Sequence, residues 1–370
     1  MIQKSSGIYI HIPFCIRKCP YCDFYSLADT TLQEAYSVAL MRQIRSAPSV
    51  AADTVYFGGG TPSLLPAEML AEILGTCRQV FDLAPDSEIT FEMNPATADI
   101  SKLRALRDAG FNRVSIGIQS TDPMVLSALG RLHTSEEAMA ALDQARSAGF
   151  ENISADLMLA TPFSTIDSVS KSIRDLTAAG VTHLSAYLLK IMPGTPFDLN
   201  RPSLPSEDDA ADQYEFVCGM MRERGYLHYE ISNFSIPGCE SRHNLKYWRL
   251  DDYFGFGPGA HSCVGRARSS IPPDLKKYIE LWQTPQPSFD CFSVSEGPVT
   301  GEDLIVAGLR TAEGIDLETL HREFGTEMDG GRMERIRLYC SAGLMMQTGS
   351  RLRLTERGFL VSNAILSELI

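Results

Sequence analysis

The chain has 370 residues, of which 44% are hydrophobic and 21% are charged, and its formal net charge is −13. These values are ordinary for a globular protein, and the length allows one large domain and a smaller one. The acidic balance, without a basic tract, argues against a general nucleic-acid binder. We find no signal-peptide leader and no apolar run of the ~18 residues that a membrane span needs. We therefore expect a cytoplasmic protein with reduced thiols.

Strand-like and helix-like segments alternate along the first half of the chain. Apolar spacing predicts six strands, at residues 7–12, 54–57, 88–93, 113–119, 152–159 and 183–189. It predicts helices at residues 32–45, 66–80, 100–109, 123–128, 135–148 and 164–179. Strands followed by helices indicate an α/β fold with a parallel sheet and helices outside it. The pattern alone does not distinguish a barrel from an open sheet.

The second half begins with a connector rich in Pro, Asp and Ser at residues 196–208. A helix at residues 208–224, a strand at 226–234 and a glycine-rich loop at 251–261 are predicted to follow. Beyond residue 295 the pattern changes to helices at residues 301–314, 317–324, 333–342 and 358–370 around a hairpin-like segment at 343–355. We interpret this region as a small helical domain with a wing.

Three closely spaced cysteines follow the first predicted strand. Cys15, Cys19 and Cys22 have the spacing C-x₃-C-x₂-C. Thiolates hold iron–sulfur clusters, usually four to a cubane, so three would leave one iron open to an external ligand. We favour a 4Fe–4S cluster over zinc completed by His11, because structural zinc sites commonly use C-x₂-C pairs. A disulfide beside a free thiol is disfavoured in a reducing compartment.

This spacing, with the aromatic Tyr21 just before the last cysteine, resembles radical S-adenosylmethionine (SAM) proteins. The surrounding Tyr-Ile-His-Ile-Pro-Phe-Cys at residues 9–15 resembles the branch that contains the oxygen-independent coproporphyrinogen III dehydrogenases and the HemW-type heme chaperones. The resemblance implies a partial (β/α)₆ radical-SAM barrel, whose open iron binds the amino and carboxylate groups of S-adenosyl-L-methionine. It spans about residues 7 to 315 and weakens towards the end of the chain.

With this resemblance the chain divides into three parts. Residues 1–195 are expected to form the radical-SAM partial barrel with the cluster site. Residues 196–295 would extend the barrel and carry an HNxxYW motif, and residues 296–370 would form the C-terminal helical, winged domain.

Polar residues and glycines follow the predicted strand ends, where parallel α/β folds carry their sites. Gly58-Gly59-Gly60-Thr61-Pro62 ends the second strand, and glycines let backbone groups approach a ligand closely. Glu92 and Asp156 have a structural alternative as helix caps, and Arg131 as a solvated residue, although its fork suits a carboxylate. By resemblance, the SAM site comprises Tyr9, Tyr21, Gly59, Gly60, Thr61, Glu92, Gln119, Arg131 and Asp156.

The second distinctive stretch is Ser-Arg-His-Asn-Leu-Lys-Tyr-Trp at residues 241–248. Such a composition is more often packing, although histidine is the usual proximal ligand of heme iron. The run matches the HNxxYW motif of the heme-chaperone branch. The resemblance implies that His243 binds heme iron. His228 and His261 are the next candidates if the ligand lies elsewhere. The residues expected to shape the pocket are Asn244, Tyr247 and Trp248.

Two departures from the decarboxylating enzymes bear on function. Those enzymes carry a fourth cysteine two positions after the third, where this chain has Phe24. They also have a longer arm ahead of the cysteines, where this chain has fourteen residues before Cys15. We therefore predict a heme chaperone that transfers heme to apo-hemoproteins such as membrane respiratory enzymes. The alternatives are radical decarboxylation of coproporphyrinogen III to protoporphyrinogen IX, and a zinc- or iron-storing barrel.

The predicted cofactors are a 4Fe–4S cluster, S-adenosyl-L-methionine and heme. We assign no catalytic residue, leave SAM cleavage open, and expect no nucleic-acid partner. A homodimer, and peripheral binding to a membrane during heme delivery, are compatible with the resemblance. The six cysteines outside the motif have no assigned role, and most are interpreted as small buried hydrophobic residues.

Overall fold

The structure is a computed structural model that describes residues 5–97, 99–285 and 287–370. Its strands are β1 (Ser6–Ile12), β2 (Ala51–Gly59), β3 (Asp82–Met93), β4 (Arg113–Gln119), β5 (Asn152–Leu159), β6 (His183–Leu188), β7 (Leu227–Glu230), β8 (Asn233–Ser235), β9 (Tyr253–Phe256), β10 (His261–Val264), β11 (Ala267–Ser270), β12 (Val294–Pro298), β13 (Ile315–Asp316), β14 (Met345–Thr348) and β15 (Arg351–Leu354).

The α-helices alternate with these strands in the first half of the chain and dominate its end. They are α1 (Gln33–Ser46), α2 (Ala67–Val80), α3 (Ile100–Ala109), α4 (Pro123–Ala128), α5 (Ser135–Ser147), α6 (Ile166–Ala178), α7 (Pro196–Leu199), α8 (Glu207–Glu223), α9 (Arg242–Arg249), α10 (Leu275–Gln283), α11 (Gly301–Gly308), α12 (Leu317–Phe324), α13 (Gly330–Ser341), α14 (Glu356–Leu360) and α15 (Ser362–Leu369). Two short 3₁₀ helices lie at Pro62–Leu64 and Pro95–Thr97.

One twelve-stranded sheet runs through most of the chain, in the order β12-β11-β10-β9-β1-β2-β3-β4-β5-β6-β8-β7. The strands β1 to β6 run parallel to one another, whereas β6 and β8 are antiparallel. The predicted α/β fold, a partial (β/α)₆ barrel followed by a small winged domain, is confirmed. In the part of the chain that the structure describes, β12 and β7 are the sheet edges, so the barrel is not closed.

Side chains alternate between the two faces of the parallel strands, as the pleat requires. On β3, Ile89, Phe91 and Met93 are buried in the hydrophobic core between sheet and helices. The intervening Thr90 and Glu92 point to the concave side. The register places Thr90 beside Tyr56 and Arg113 on the neighbouring strands, so the interior of the barrel is polar.

Several helices begin with side-chain caps that the sequence encodes. Thr134 and Glu137 form a reciprocal capping box at the start of α5, with N···O distances of 2.7 and 3.2 Å. Asp99 caps α3 by accepting from the amide of Lys102 at 2.9 Å. That helix ends at Ala109 and is followed by Gly110, whose φ of 102° favours glycine. These caps fix where the helices leave the strand ends.

Residues 251–261 differ from the glycine-rich loop that was predicted. They contain β9, which pairs in parallel with β1, and the start of β10. Gly255 allows this close packing, because a Cβ there would lie 2.0 Å from the carbonyl oxygen of His261. The single strand predicted at 226–234 is also wrong, since β7 and β8 form an antiparallel hairpin there.

The end of the chain has a separate three-stranded sheet in the order β13-β15-β14, surrounded by α11 to α15. The predicted helix at 301–314 ends earlier, at Gly308, and a turn leads to Gly314 with φ 71°. The predicted helix at 358–370 is two helices, α14 and α15, which are separated at Val361.

Phe91→Ala should reduce the free energy of unfolding by ~3–5 kcal/mol, because it leaves a cavity in the core. The Phe91 ring is fully buried and lies 5.4 Å from the ring of Phe111 and 5.7 Å from that of Phe150. Urea unfolding measures the change. Phe24→Ala is the control, since that side chain is 64% exposed, and equal losses in both variants would contradict the assignment of the core.

Candidate functional site

The three motif cysteines lie on the loop that follows β1, at the carboxyl edge of the parallel strands. The Cys15 amide donates to the carbonyl of Leu27 at 2.9 Å, and the Cys22 amide donates to the carbonyl of Cys19 at 3.1 Å. All three cysteines are free and partly buried. In the described ranges, no group of three or more His, Cys, Asp or Glu side chains could hold a single metal ion. In a cubane, by contrast, each thiolate binds its own iron.

Donors from two other loops reach the sulfur atoms. The Thr61 hydroxyl lies 3.5 Å from Cys15 Sγ, and Arg131 Nη1 lies 3.5 Å from Cys19 Sγ and 3.5 Å from the Tyr21 hydroxyl. Hydrogen-bond donors such as Thr61 and Arg131 stabilise thiolates, which are the form that binds a cluster. Burial has the opposite effect on Cys22, because it raises the pKa of that thiol.

Arg131 is held in place by a hydrogen bond, but another of its donors has no partner among the described residues. Its Nη2 donates to the carbonyl of Gly117 at 2.7 Å, whereas its buried Nε has no hydrogen-bond partner among the described residues. A buried guanidinium donor without a partner fits an absent acceptor such as a carboxylate. The donors around the cysteines and this free nitrogen therefore fit a cluster and the amino-acid end of SAM.

The glycine-rich loop after β2 lies against the cysteine loop. The Gly60 amide donates to the carbonyl of Ile12 at 2.8 Å, and the Thr61 amide donates to that of Phe14 at 2.7 Å. A Cβ on Gly60 would lie 2.5 Å from the Phe14 carbonyl oxygen, and Gly59 has a φ of 109°. Glycine is favoured at both positions, at Gly60 because a side chain would push the two loops apart, and at Gly59 because of its positive φ.

Two carboxylates face the barrel interior below these loops. Glu92 accepts from the Tyr56 hydroxyl at 2.8 Å and from the Gly59 amide at 3.2 Å. Burial, together with the charge of Asp156, raises the pKa of Glu92 to about 7. Burial also raises the pKa of Asp156, which accepts from the Ser115 hydroxyl at 3.3 Å. The pair can therefore hold a proton near neutral pH, and both groups can accept hydrogen bonds.

Tyr9 and Gln119 complete the predicted set. The Tyr9 hydroxyl lies 3.1 Å from His11 Nδ1, and Gln119 ends β4 with a φ of 69°, which is uncommon for a residue other than glycine. The structure thus places the nine residues predicted for SAM between the middle of the parallel strands and the loops after them. Their assignment to SAM stays a prediction.

The predicted heme ligand lies at the opposite end of the strands. His243, on α9, is fully buried. Its Nδ1 lies 2.7 Å from the Thr54 hydroxyl, and its Nε2 lies 2.8 Å from the Tyr247 hydroxyl. Burial lowers the pKa of His243 to about 3, so the ring is neutral. Heme ligation by His243 would require one of these hydrogen bonds to be released.

The HNxxYW residues divide between two faces of α9. His243 and Tyr247 point into the amino end of the barrel, where the Glu88 carboxylate accepts from the amides of Arg242 (2.9 Å) and His243 (3.1 Å). Trp248 instead lines a cavity on the other side of the helix, and Asn244 is partly exposed. The motif therefore faces both the barrel and the C-terminal domain.

The histidines differ sharply in accessibility. Five have both ring nitrogens within hydrogen-bonding distance of protein atoms, namely His11, His133, His183, His228 and His243. The side chains of His261 and His321 are each 60% exposed. Of the two alternative iron ligands, His228 is thus enclosed and His261 is accessible.

Sequence reasoning missed several residues of the barrel interior. Tyr56 bonds to Glu92, Thr54 and Glu88 hold α9, and Arg113 is 2% exposed with a buried Nε that has no partner in the described structure. Alternation along the strands was the available signal, because Thr54 and Tyr56 precede Gly58 at spacings of two. Their partners, however, come from distant parts of the chain.

Comparison with known proteins agrees with this geometry. Residues 9–176 match the Radical SAM superfamily, and residues 299–361 match the HemN C-terminal domain. Heme chaperone HemW of Lactococcus lactis subsp. lactis (strain IL1403) is 31% identical over 376 residues, which cover 100% of this chain and 98% of that protein. Heme chaperone HemW of Bacillus subtilis (strain 168) is 34% identical over 368 residues, which cover 96% and 97%.

A solved structure supports the fold. Coproporphyrinogen III oxidase (HemN) from Escherichia coli, a radical SAM enzyme, matches with a TM-score of 0.83 over 99% of this chain and 90% of that one. The identity is 20%, so this likeness shows the fold alone. Considered with its relatives of full length, the chain belongs to the HemW family within the radical SAM superfamily. The predicted resemblance is confirmed, and the superfamily implies a 4Fe–4S cluster and SAM.

Glu92→Gln should remove a pH dependence of stability in the ligand-free protein. The pKa of Glu92 is raised from 4.5 to about 7 in the folded state, so its contribution is fully present below pH 4.5 and is lost as the pH rises through 7. Between pH 4.5 and 8, wild type should lose roughly 2–3 kcal/mol of unfolding free energy relative to the variant. Urea unfolding across this range measures it.

Glu68→Gln is the matched control, because Glu68 is exposed on α2, and its pH profile should follow that of the wild type. Parallel profiles for Glu92→Gln and wild type would show that Glu92 titrates normally.

Proposed function

We propose that this protein binds heme and transfers it to apo-hemoproteins. The observation that carries the proposal is the similarity, at 31–34% identity over nearly the whole of both chains, to proteins named heme chaperone HemW. The HNxxYW motif supports it, since all six of its positions lie on one short helix, α9. This helix lies between the barrel interior and the C-terminal domain, where a large ligand could contact both.

The heme contacts are assigned to α9, with His243 as the iron ligand and Asn244, Tyr247 and Trp248 around it. The neutral ring of His243 is the form that ligates iron. Ligation requires its Nε2 to exchange the Tyr247 hydroxyl for the metal. Heme binding at His243 therefore includes a local movement of α9 or of the Tyr247 side chain.

The cluster is assigned to Cys15, Cys19 and Cys22, and SAM to the loops and carboxylates around them. Arg131 would bind the SAM carboxylate through its free Nε, and Thr61 and the backbone of Gly59 and Gly60 would line the ligand. When bound, the cluster would supply the electron for a reductive cleavage of SAM, and whether that cleavage takes place is left open. The same site would otherwise serve structure, dimerisation or control of heme transfer.

The alternative function is that of an oxygen-independent coproporphyrinogen III dehydrogenase. The observation in its favour is the full set of SAM-site residues, including the buried carboxylates Glu92 and Asp156. Against it stands Phe24, at the position of the fourth cysteine of the decarboxylating enzymes. Its side chain is 64% exposed. We retain this activity as the second candidate.

The proposed acceptors are membrane respiratory enzymes, with peripheral binding to the membrane during delivery and no nucleic-acid partner. Within the described residues, none of the helices is both long and apolar enough to cross a bilayer. A homodimer is compatible with the proposal. The division at residues 1–195, 196–295 and 296–370 is proposed as the functional arrangement, supported by the match to a C-terminal domain that begins at residue 299.

Cys22→Ala should abolish assembly of the iron–sulfur cluster. After anaerobic isolation, iron and acid-labile sulfide should fall to near zero in the variant, because a cubane with two remaining thiolates loses its anchor. Cys291→Ala is the control, since Cys291 is an exposed cysteine outside the motif, and it should keep the wild-type content. Zinc without sulfide in the wild-type protein would overturn the cluster assignment and favour the metal-storing alternative.

His243→Ala should weaken heme binding by about tenfold or more, or change the Soret band, in an anaerobic titration read by absorbance. His261→Ala is the matched control, because His261 is the accessible alternative ligand. A second variant, Tyr247→Phe, separates a loss of ligation from a loss of folding. It removes the hydroxyl that bonds to Nε2 of His243 and keeps the ring, so heme binding should be equal to or tighter than that of the wild type.

Unchanged spectra and affinities in His243→Ala, with an effect in His261→Ala, would move the iron ligand to His261. Absence of saturable heme binding by the wild type would overturn the proposed function, and turnover of coproporphyrinogen III would then test the second candidate.

A further inference from the structure

A cavity of about 600 Å³ lies between α9 and the C-terminal domain. This volume is within the roughly 300–1,000 Å³ of pockets that hold small molecules and cofactors. Its walls come from α9, from α11 and from the strands β13 and β15. The cavity is on the amino side of the parallel strands, so it is distinct from the cysteine site.

One part of the cavity wall is apolar. Leu245 and Trp248 of α9, Leu304 of α11 and Ile315 of β13 line the cavity. The Trp248 ring is partly exposed, and an indole offers a large flat surface on which another planar ring can stack. This wall is suited to a flat apolar ligand.

Another part carries paired charges that a ligand could rearrange. Arg249 of α9 and Arg351 of β15 share one carboxylate, that of Glu313, at 3.2 and 3.5 Å. All three side chains are about half exposed. Exposed ion pairs contribute little to stability, so replacing Glu313 by a ligand carboxylate costs little. Arginine forks bind carboxylates in a bidentate manner.

A second pair of cations lies on α9 at the same cavity. Arg242 and Lys246 share the carboxylate of Asp53, at 3.2 and 2.8 Å. Asp316, also on the wall, already caps α12 through the amide of Glu318 at 3.3 Å. With Asp251, four carboxylates and four cations lie among the described residues that line the cavity. An anionic ligand would therefore bind by exchange with the exposed Glu313 and not through an excess of positive charge.

The cavity offers an iron atom no strong ligand. Among the described residues that line it there is no histidine, cysteine, methionine or tyrosine, while the His243 ring points into the barrel from the other face of α9. A ligand here would be recognised by its ring plane and its carboxylates.

We propose that this cavity is a binding site for the macrocycle and the two propionates of a tetrapyrrole, and that it works independently of the iron. The site deepens the proposed function and rests on it. It receives the tetrapyrrole between Trp248 and the arginine pair, and the C-terminal domain contributes Arg351 and Ile315. Ligation by His243 is then a separate step, which needs the rearrangement of Tyr247.

The test is a titration of the full-length protein with iron-free protoporphyrin IX, read by porphyrin fluorescence. Wild type should bind it saturably, because recognition in the cavity does not involve the iron. Arg249→Gln combined with Arg351→Gln should weaken binding by about tenfold, since each lost charge-assisted contact matters most for an anionic group. Glu313→Gln should tighten binding, because it removes the competing carboxylate.

Arg353→Gln is the matched control. Arg353 is exposed and on the same strand as Arg351, but it is not among the residues that line the cavity. The affinity of this variant for protoporphyrin IX should therefore equal that of the wild type. In the wild type, protoporphyrin IX dimethyl ester should bind more weakly than the free acid. In the double arginine variant, the ester and the free acid should bind with equal affinity. Both results would support recognition of the propionates.

Saturable binding of heme without binding of iron-free protoporphyrin would overturn the cavity site and leave the proposed function in place. The cavity site would also be overturned, with the proposed function left in place, if the affinity for protoporphyrin IX were equal in the double arginine variant, in Glu313→Gln and in the Arg353→Gln control. Failure of wild type to bind either compound would overturn the proposed function as well.

Discussion

The alternation of side chains along the parallel strands is the constraint on which the rest of the molecule depends. Each strand gives its apolar residues to the helices outside and its polar residues to the interior. On β3, Phe91 packs in the core while Glu88 and Glu92 face inward. Glu88 accepts the first amides of α9, and Glu92 accepts from the glycine loop beside the cysteines. One strand thereby organises both ends of the barrel, and a shift of register by one residue would destroy both.

Much of this arrangement could be predicted because its signals are local. The six parallel strands follow from period-two spacing, and the cysteine loop follows directly from β1. The polar strand ends must share one edge, because parallel strands point the same way. β9 escaped prediction because it has four residues, includes Gly255, and gains its stability from pairing with β1, which lies far away in the sequence. Local patterns do not report such pairings.

The surroundings of His243 were beyond prediction for the same reason. Its partner Thr54 is on β2, and the amides that begin α9 bind Glu88 on β3. A motif shows that certain side chains occur together, and it does not show which face of a helix each one occupies. Here the helix turns Trp248 towards the C-terminal domain and His243 towards the barrel, so residues adjacent in one motif lie in different environments.

The position of α9 has a consequence for signalling within the molecule. The helix contacts β1, β2 and β3, and the same three strands lead to the cysteine loop, the glycine loop and Glu92. Its His243 ring packs against the rings of Tyr9 and Tyr56, at centroid distances of 6.3 and 5.2 Å. Tyr56 in turn donates to Glu92 at 2.8 Å. A displacement of the carboxylate or of Tyr9 at the SAM end of the barrel would therefore reach α9 through packed rings in the interior, while Thr54 and Glu88 hold the helix to the strands.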